Sequence, residues 1–136
     1  MRSIFVLFLF LVITLPMSAA SIKEPPKYLY KGLLGEAADD GFNGQYAVAC
    51  CVRNRLRKGM WHGLVAMKRK DLSDYVYKQP KEYKQRAKRI VEMVFAENTP
   101  DTTGGAIYFE NTQKYGKPKF CHRKTVKIGE HTFFRN

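Results

Sequence analysis

Glu36 is the residue whose setting points most clearly to chemistry. It follows Leu33-Leu34-Gly35 and precedes Ala37-Ala38. Apolar neighbours disfavour the charged form of a carboxylate. A carboxyl group that keeps its proton near neutral pH is what general-acid catalysis needs, and protonation of a glycosidic oxygen is one such task. The bland alternative is an ordinary exposed glutamate near a helix end. Its position argues mildly against that, because an acidic side chain near a helix C-terminus works against the helix dipole. A metal centre is not expected. The cysteines are Cys50, Cys51 and Cys121, with no Cys-x-x-Cys and no paired-histidine spacing, so a zinc ligand set is missing and no cofactor is expected. Three cysteines do not make a disulfide framework. They read as small apolar core residues, with a bridge from Cys50 or Cys51 to Cys121 left open.

The elements that must position Glu36 are set by apolar spacing. Tyr28 to Ala37 is predicted as a first helix, with Leu29, Leu33 and Leu34 on one face. Asp39-Asp40-Gly41 breaks it, and either aspartate can cap the next helix. That second helix is predicted from Asn43 to Lys58, with Ala47, Val48, Cys51, Val52 and Leu56 as its stripe. Arg53, Arg55, Arg57 and Lys58 load its end in the sense the dipole favours, and Gly59 stops it. Between Met60 and Tyr77 the pattern is weak: a turn near Trp61, a solvated basic loop at Lys68-Arg69-Lys70, and a short helix capped by Asp71. Trp61 itself reads as core. Lys81 to Glu97 is the strongest helix, carrying Tyr83, Ala87, Ile90, Val91, Val94 and Phe95 as one stripe. The periodicity then changes. Gly104 to Phe109 reads as a turn and a short strand, and Thr125 to Phe134 as a hairpin turning at Gly129-Glu130. Helices succeeded by short strands imply an α+β fold.

The chain has 136 residues and a formal net charge of +12. Residues 1–20 read as an export signal: a basic start, an apolar run from Ile4 to Leu15, and small residues Ser18 and Ala20 before the cut. The run is too short for a membrane span of roughly 20 residues, so no stable membrane anchor is expected. Residues 21–27, with Pro25-Pro26, read as a linker, and 28–136 as one domain. Cleavage after Ala20 leaves 23 basic against 12 acidic residues, a net +11. Such a charge implies an anionic partner, either nucleic acid or, for an exported chain, the cell wall.

Four ordered blocks carry a family resemblance. Leu34-Gly35-Glu36-Ala37 is succeeded by Gly44-Gln45-Tyr46-Ala47-Val48-Ala49 and Asn54-Arg55. Asp101-Thr102-Thr103-Gly104-Gly105-Ala106-Ile107-Tyr108-Phe109-Glu110-Asn111 comes next, and Lys127-Ile128-Gly129-Glu130-His131-Thr132-Phe133-Phe134 closes the chain. Together they resemble the SleB-type cell-wall hydrolases, known from spore-cortex-lytic enzymes. The sequence departs from that pattern at residues 67–74, where a Phe-rich segment is replaced by Met67-Lys68-Arg69-Lys70-Asp71-Leu72-Ser73-Asp74, and at Thr102 and Phe120, where the family has Pro and often Trp.

The resemblance implies a lysozyme-like fold with a helical lobe, a small antiparallel β lobe and a cleft between them. It implies peptidoglycan as substrate and Glu36 as the catalytic acid of a lytic transglycosylase or muramidase; with the export signal, the chain is expected to act as a monomer in the periplasm or outside the cell. A transglycosylase needs one carboxylate, whereas a water-using cut needs a second, for which Asp39, Asp40, Asp101 and Glu110 are available. Gln45, Tyr108 and Asn111 are the candidate substrate-binding residues. On a strand, Tyr108 and Glu110 share one face while Phe109 and Asn111 share the other. Tyr108 and Asn111 therefore both reach a cleft only if the strand ends near Glu110. Asn54 and Arg55 read as structural, and His131 as packed, exposed or orienting the glutamate. Two rival readings are an N-acetylmuramoyl-L-alanine amidase, commonly a zinc enzyme, and a non-catalytic cationic module binding wall polymer or nucleic acid. Nucleic acid is not the expected partner.

Overall fold

Leu29, Leu33 and Leu34 are buried on one side of the first helix, α1 (Leu29–Ala37), as their spacing predicts. The computed structural model describes residues 24–61, 63–119 and 123–136. The expected signal at residues 1–20, Phe120 and any bridge to Cys121 lie outside them. After α1 come α2 (Gly41–Arg57), a 3-10 turn (Val65–Lys68), α3 (Leu72–Lys78) and α4 (Lys81–Val91). Next are β1 (Tyr108–Glu110), the one-turn helix α5 (Thr112–Tyr115), β2 (Arg123–Ile128) and β3 (His131–Arg135). The three strands form an antiparallel sheet in the order β1-β3-β2. This is the α+β order that the sequence predicts, with the hairpin turning at Gly129-Glu130.

The second helix departs from expectation in a telling way. It has no solvent face over most of its length: residues 44–55 are all buried. A helix buried all round lies in the centre of a domain, and α2 packs against α1, α4 and the sheet. Cys50 and Cys51 are fully buried there, and burial pushes the Cys50 thiol up to about 11. Arg53 and Arg55, placed by the sequence at the helix end the dipole favours, with Arg55 read as structural, do not face solvent. Both are buried and serve the carbonyls of neighbouring segments. Arg53 Nη1 donates to Val94 O at 2.8 Å and Thr99 O at 2.7 Å. Arg55 Nε donates to Ile107 O at 2.5 Å, and its Nη1 to Gly63 O at 3.1 Å. Backbone carbonyls inside a core need donors, and long cationic side chains supply them where the chain leaves regular structure. The helix predicted over residues 81–97 is regular only to Val91. Glu92–Ala96 form a wider π turn, and Arg53 meets the carbonyls beside it.

The loop before the sheet is organised by one carboxylate. Asp101 Oδ1 accepts from the Thr103 N–H at 2.8 Å and the Thr103 hydroxyl at 2.6 Å. Its Oδ2 accepts from the Gly105 N–H at 2.8 Å and Asn54 Nδ2 at 3.0 Å. Asn54 also donates to Ala106 O at 2.9 Å, which fits its reading as structural. Burial alone would raise the Asp101 carboxyl, but the hydrogen bonds from Thr103, Asn54 and Gly105 outweigh it and hold the group below its ordinary value. A depressed carboxyl stabilises the fold above its unfolded pKa, roughly 4, and that contribution is lost as pH falls through the lower folded value. Asp101→Asn is therefore expected to cost roughly 1–3 kcal/mol at neutral pH and to flatten the acid limb of stability. Denaturant titrations at neutral and acid pH check both effects.

Candidate active site

Glu36 stands on the last turn of α1, half-buried, at the wall of a cleft of about 660 Å³ between the helices and the sheet. Its Oε1 accepts the Ala66 N–H at 2.8 Å, which leaves Oε2 for the cleft. Two glycines on α1 make that bond possible. A Cβ on Gly35 would lie 2.7 Å from Ala66 Cβ, and one on Gly32 would lie 2.8 Å from Met67 Cγ. The 3-10 turn thus rests directly on the helix surface, with the Ala66 amide aimed at the carboxylate. Gly35→Ala is expected to displace the turn, lengthen this hydrogen bond and cost about tenfold in turnover. That is the rate equivalent of one net hydrogen bond. A crystal structure of the variant paired with initial rates would check it; an unmoved turn with full activity would refute it.

Gln45 lies away from the cleft lining. It is fully buried in α2, and its Nε2 donates to Ala37 O at 3.1 Å. Arg86 Nη2 donates to Ala38 O at 3.2 Å. Together they satisfy carbonyls at the C-terminus of α1, where an unpaired group would be costly, and so fix the backbone that carries Glu36. Gln45, expected to bind substrate, thus sits behind the backbone of Glu36 and outside the cleft lining. Tyr108 does not line the cleft either. The strand ends at Glu110, as both residues reaching the cleft would require, yet the aromatic on the Asn111 face is Phe109, which does line it. Period-two alternation from Asn111 was the signal that could have found Phe109.

Asn111 is at the cleft. Its Oδ1 accepts the Lys114 N–H at 3.1 Å and caps α5. Its Nδ2 donates to Glu130 Oε2 at 3.2 Å. Trp61, predicted as core, is 59% exposed and lines the cleft. Its neighbours in sequence are glycine-rich and basic, so nothing nearby buries it. Glu110, Glu130, Arg69, Lys114 and Tyr115 complete the opening. Among the described residues, no group of three or more His, Cys, Asp or Glu side chains converges as a metal site would.

His131, the first residue of β3, also lines the cleft, and a buried aspartate sets its orientation. Asp40 Oδ2 lies 2.6 Å from His131 Nδ1. A carboxylate oxygen accepts, so the ring donates from Nδ1 and turns Nε2 outward. Asp40 Oδ1 accepts the Glu130 N–H at 3.1 Å. Asp40 was expected as a helix cap, but its side chain makes no capping bond to α2. It reaches instead from the α1–α2 corner to the hairpin turn. Gly129 permits this contact: it has φ +61, and a Cβ there would lie 2.8 Å from Asp40 Cγ. The carboxylate of Asp71, also read as a cap, pairs with Arg69 at 2.7 Å.

The geometry can be set beside known proteins. No curated protein matches the sequence. The fold is similar to the catalytic domain of the germination-specific lytic transglycosylase SleB from Bacillus anthracis, at 26% identity and a TM-score of 0.57, over 82% of this chain and all of that one. It is also similar to the catalytic domain of the Bacillus cereus SleB protein, at 22% identity and a TM-score of 0.53, over 87% of this chain and all of that one. The second likeness is one of fold alone. The helical and sheet parts are thus those of the lysozyme-like arrangement expected from the sequence blocks. Residues 39–134, most of the chain and all of the cleft's sheet wall, match the family described as cell wall hydrolase, a segment that begins just after Glu36. This chain belongs to the cell wall hydrolase family.

Proposed function

We propose that this chain cleaves the glycan strands of peptidoglycan as a lytic transglycosylase, with Glu36 as its acid and base. The observation that carries the reading is the Glu36 carboxylate, held through one oxygen by the Ala66 N–H with the other left to the cleft. The reaction needs one such group. Glu36 protonates the glycosidic oxygen as the bond from C1 of N-acetylmuramic acid breaks. Its carboxylate then takes the proton of the muramic 6-hydroxyl, whose oxygen bonds to C1 and closes a 1,6-anhydro ring. The proton lost in the first step is regained in the second, and no water is consumed. The B. anthracis structural neighbour is described as a lytic transglycosylase, which supports this choice.

A hydrolytic cut is the second reading, favoured by the carboxylates of Glu110 and Glu130 on the opposite wall. A water-using mechanism requires such a second carboxylate. Mass spectrometry of digested peptidoglycan separates the two: 1,6-anhydromuramic ends support transglycosylation, and reducing muramic ends replace it with hydrolysis. In the same reading Asn111 contacts substrate, Gln45 and Tyr108 act only through the backbone they support, and the enzyme works as a monomer.

The substrate lies outside the cytoplasmic membrane, so the chain acts there, exported through its N-terminal apolar segment. Among the described residues no helix is long and apolar enough to cross a membrane. The net charge of +11 left after cleavage at Ala20 holds the enzyme on the anionic wall, and exposed charges separated by more than about 8 Å are largely screened at physiological salt. Wall binding is expected to weaken several-fold when salt is raised from low to molar concentration. Co-sedimentation with purified walls measures it, and salt-independent binding would contradict the charge-based attachment.

A further inference from the structure

Four lysines of the helical lobe are seated on tyrosine rings, and none of them lines the cleft. Lys27 Nζ and Lys31 Nζ lie 5.1 and 4.9 Å from the centre of the Tyr28 ring. Lys88 Nζ, on α4, is 5.1 Å from the ring of Tyr30 on α1. Lys84 Nζ is 6.0 Å from the ring of Tyr77 and donates to the Tyr77 carbonyl at 3.3 Å. Lys84 and Lys88 share a face of α4 at i, i+4. Lys88 bridges to α1 through Tyr30, and Lys31 is the next residue in the chain. The four thus form one row across two packed helices. Tyr28 is 54% exposed and Tyr77 83% exposed, so the row is open to solvent. Tyr28 has φ +63, a strained backbone for a bulky residue, and its ring carries two ammoniums. No carboxylate answers the row. Glu92 and Glu97 are both held by Arg89. Glu82 lies about 120–160° round α4 from Lys84 and Lys88, at 3.6 residues per turn. Among the described residues none of the four lysines belongs to an ion pair.

We propose that this row is a docking surface, separate from the cleft, for a phosphodiester polymer of the cell wall. One exposed charge pair is worth little in water. A polyanion laid along four ammoniums releases a counterion at each contact, and the gains accumulate. Lysine suits this task, because a compact point charge meets a phosphate without the fixed fork of arginine. The rings hold the flexible lysine stems in place beforehand, which lowers the ordering cost of docking. The polymer is gripped on the helical lobe while the cleft stays free for the glycan strand. The choice of partner rests on the reading of the chain as a wall-cutting enzyme held by its charge, and it narrows that attachment to one face and one chemistry.

Two variants of the full chain that lose the same charge test it. The first carries Lys27→Gln, Lys31→Gln, Lys84→Gln and Lys88→Gln. The second carries Lys117→Gln, Lys119→Gln, Lys124→Gln and Lys127→Gln, at four exposed lysines outside the cleft lining. In co-sedimentation with purified walls that carry poly(glycerol phosphate), the first is expected to bind about tenfold or more weakly than the second. Lys→Arg at the four row positions keeps the charge and should keep most of the binding. Calorimetry with poly(glycerol phosphate) alone should give a log affinity that falls against log salt with a slope of about −3, from four contacts at about −0.7 each. Walls stripped of the polymer by hydrofluoric acid should hold the wild type no better than intact walls hold the first variant. Equal weakening by the two variants overturns the docking surface and leaves attachment by overall charge standing. Weakening by neither removes both. Undiminished binding to stripped walls would assign the row to peptidoglycan carboxylates, and tighter binding to single-stranded DNA than to poly(glycerol phosphate) would assign it to nucleic acid; either result overturns the proposal.

Discussion

Glu36→Gln is expected to lower peptidoglycan cleavage by roughly 10³-fold or more, within or above the range usual for a lost general acid. The amide keeps an oxygen that can accept the Ala66 N–H, so the turn at Val65–Lys68 should hold its place on α1. What disappears is the proton. A glutamine side chain neither gives one to the glycosidic oxygen nor takes one from the muramic hydroxyl, so both halves of the reaction fail together. Binding to walls should persist, because the charge of the rest of the chain and the exposed cleft residues are unaltered. Loss of wall release, with an unchanged thermal melt and unchanged co-sedimentation, is the expected pattern. An inactive variant that no longer bound walls would shift the role of Glu36 from chemistry to attachment.

Asp40→Ala is expected to have the largest combined effect on stability and activity. The side chain of Asp40 is only 4% exposed and reaches across the chain to Glu130 and His131. Removing it leaves the Glu130 N–H and the His131 ring without their acceptor. A buried donor left unpaired costs about 1–3 kcal/mol, and more when a charged partner is lost. The Glu130 N–H is exposed and can turn to water, so the variant is expected to lose roughly 1–3 kcal/mol, mostly at the His131 ring. Activity should fall even where the variant remains folded, because His131 and Glu130 line the cleft wall and lose the contact that orients them. Asp40→Asn keeps one acceptor and is expected to fall between the two. Chemical denaturation and wall-digestion rates of both variants, measured well below their melting temperatures, check the order. An Asp40→Ala protein as stable as wild type would contradict the pinning role.

Much of this was legible in the sequence because it depends on local pattern. The leucines of α1, the strong stripe of α4 and the Gly129-Glu130 turn each announce an element through spacing alone. Glu36 was legible as a carboxylate at the end of an apolar helix. The partners that complete the site were not, because they come from distant segments. Nothing near Ala66 signals that its amide meets a carboxylate thirty residues earlier; the cause is the bare surface of Gly32 and Gly35. Arg55 was legible as structural, but the carbonyls that it and Arg53 serve were not, because a helix sequence does not reveal that helices and a sheet surround it. Asp40 looked like a cap, since a cap and a long-range strut share the same residue type. Trp61 looked like core, because composition places large aromatics inside. Its exposure arises from the loop geometry around Gly63. On β1 the alternation was read correctly, and the aromatic that lines the cleft is Phe109, the face-mate of Asn111, with Tyr108 outside the lining.

The most direct measurement is digestion of purified peptidoglycan by the wild-type chain and by Glu36→Gln, with the soluble products identified by mass spectrometry. A lone acid and base at Glu36 should yield muropeptides with 1,6-anhydromuramic ends and intact sugar–peptide bonds from the wild type, and none from the variant. Free stem peptides released from uncut glycan strands, or equal product release by Glu36→Gln, would contradict it.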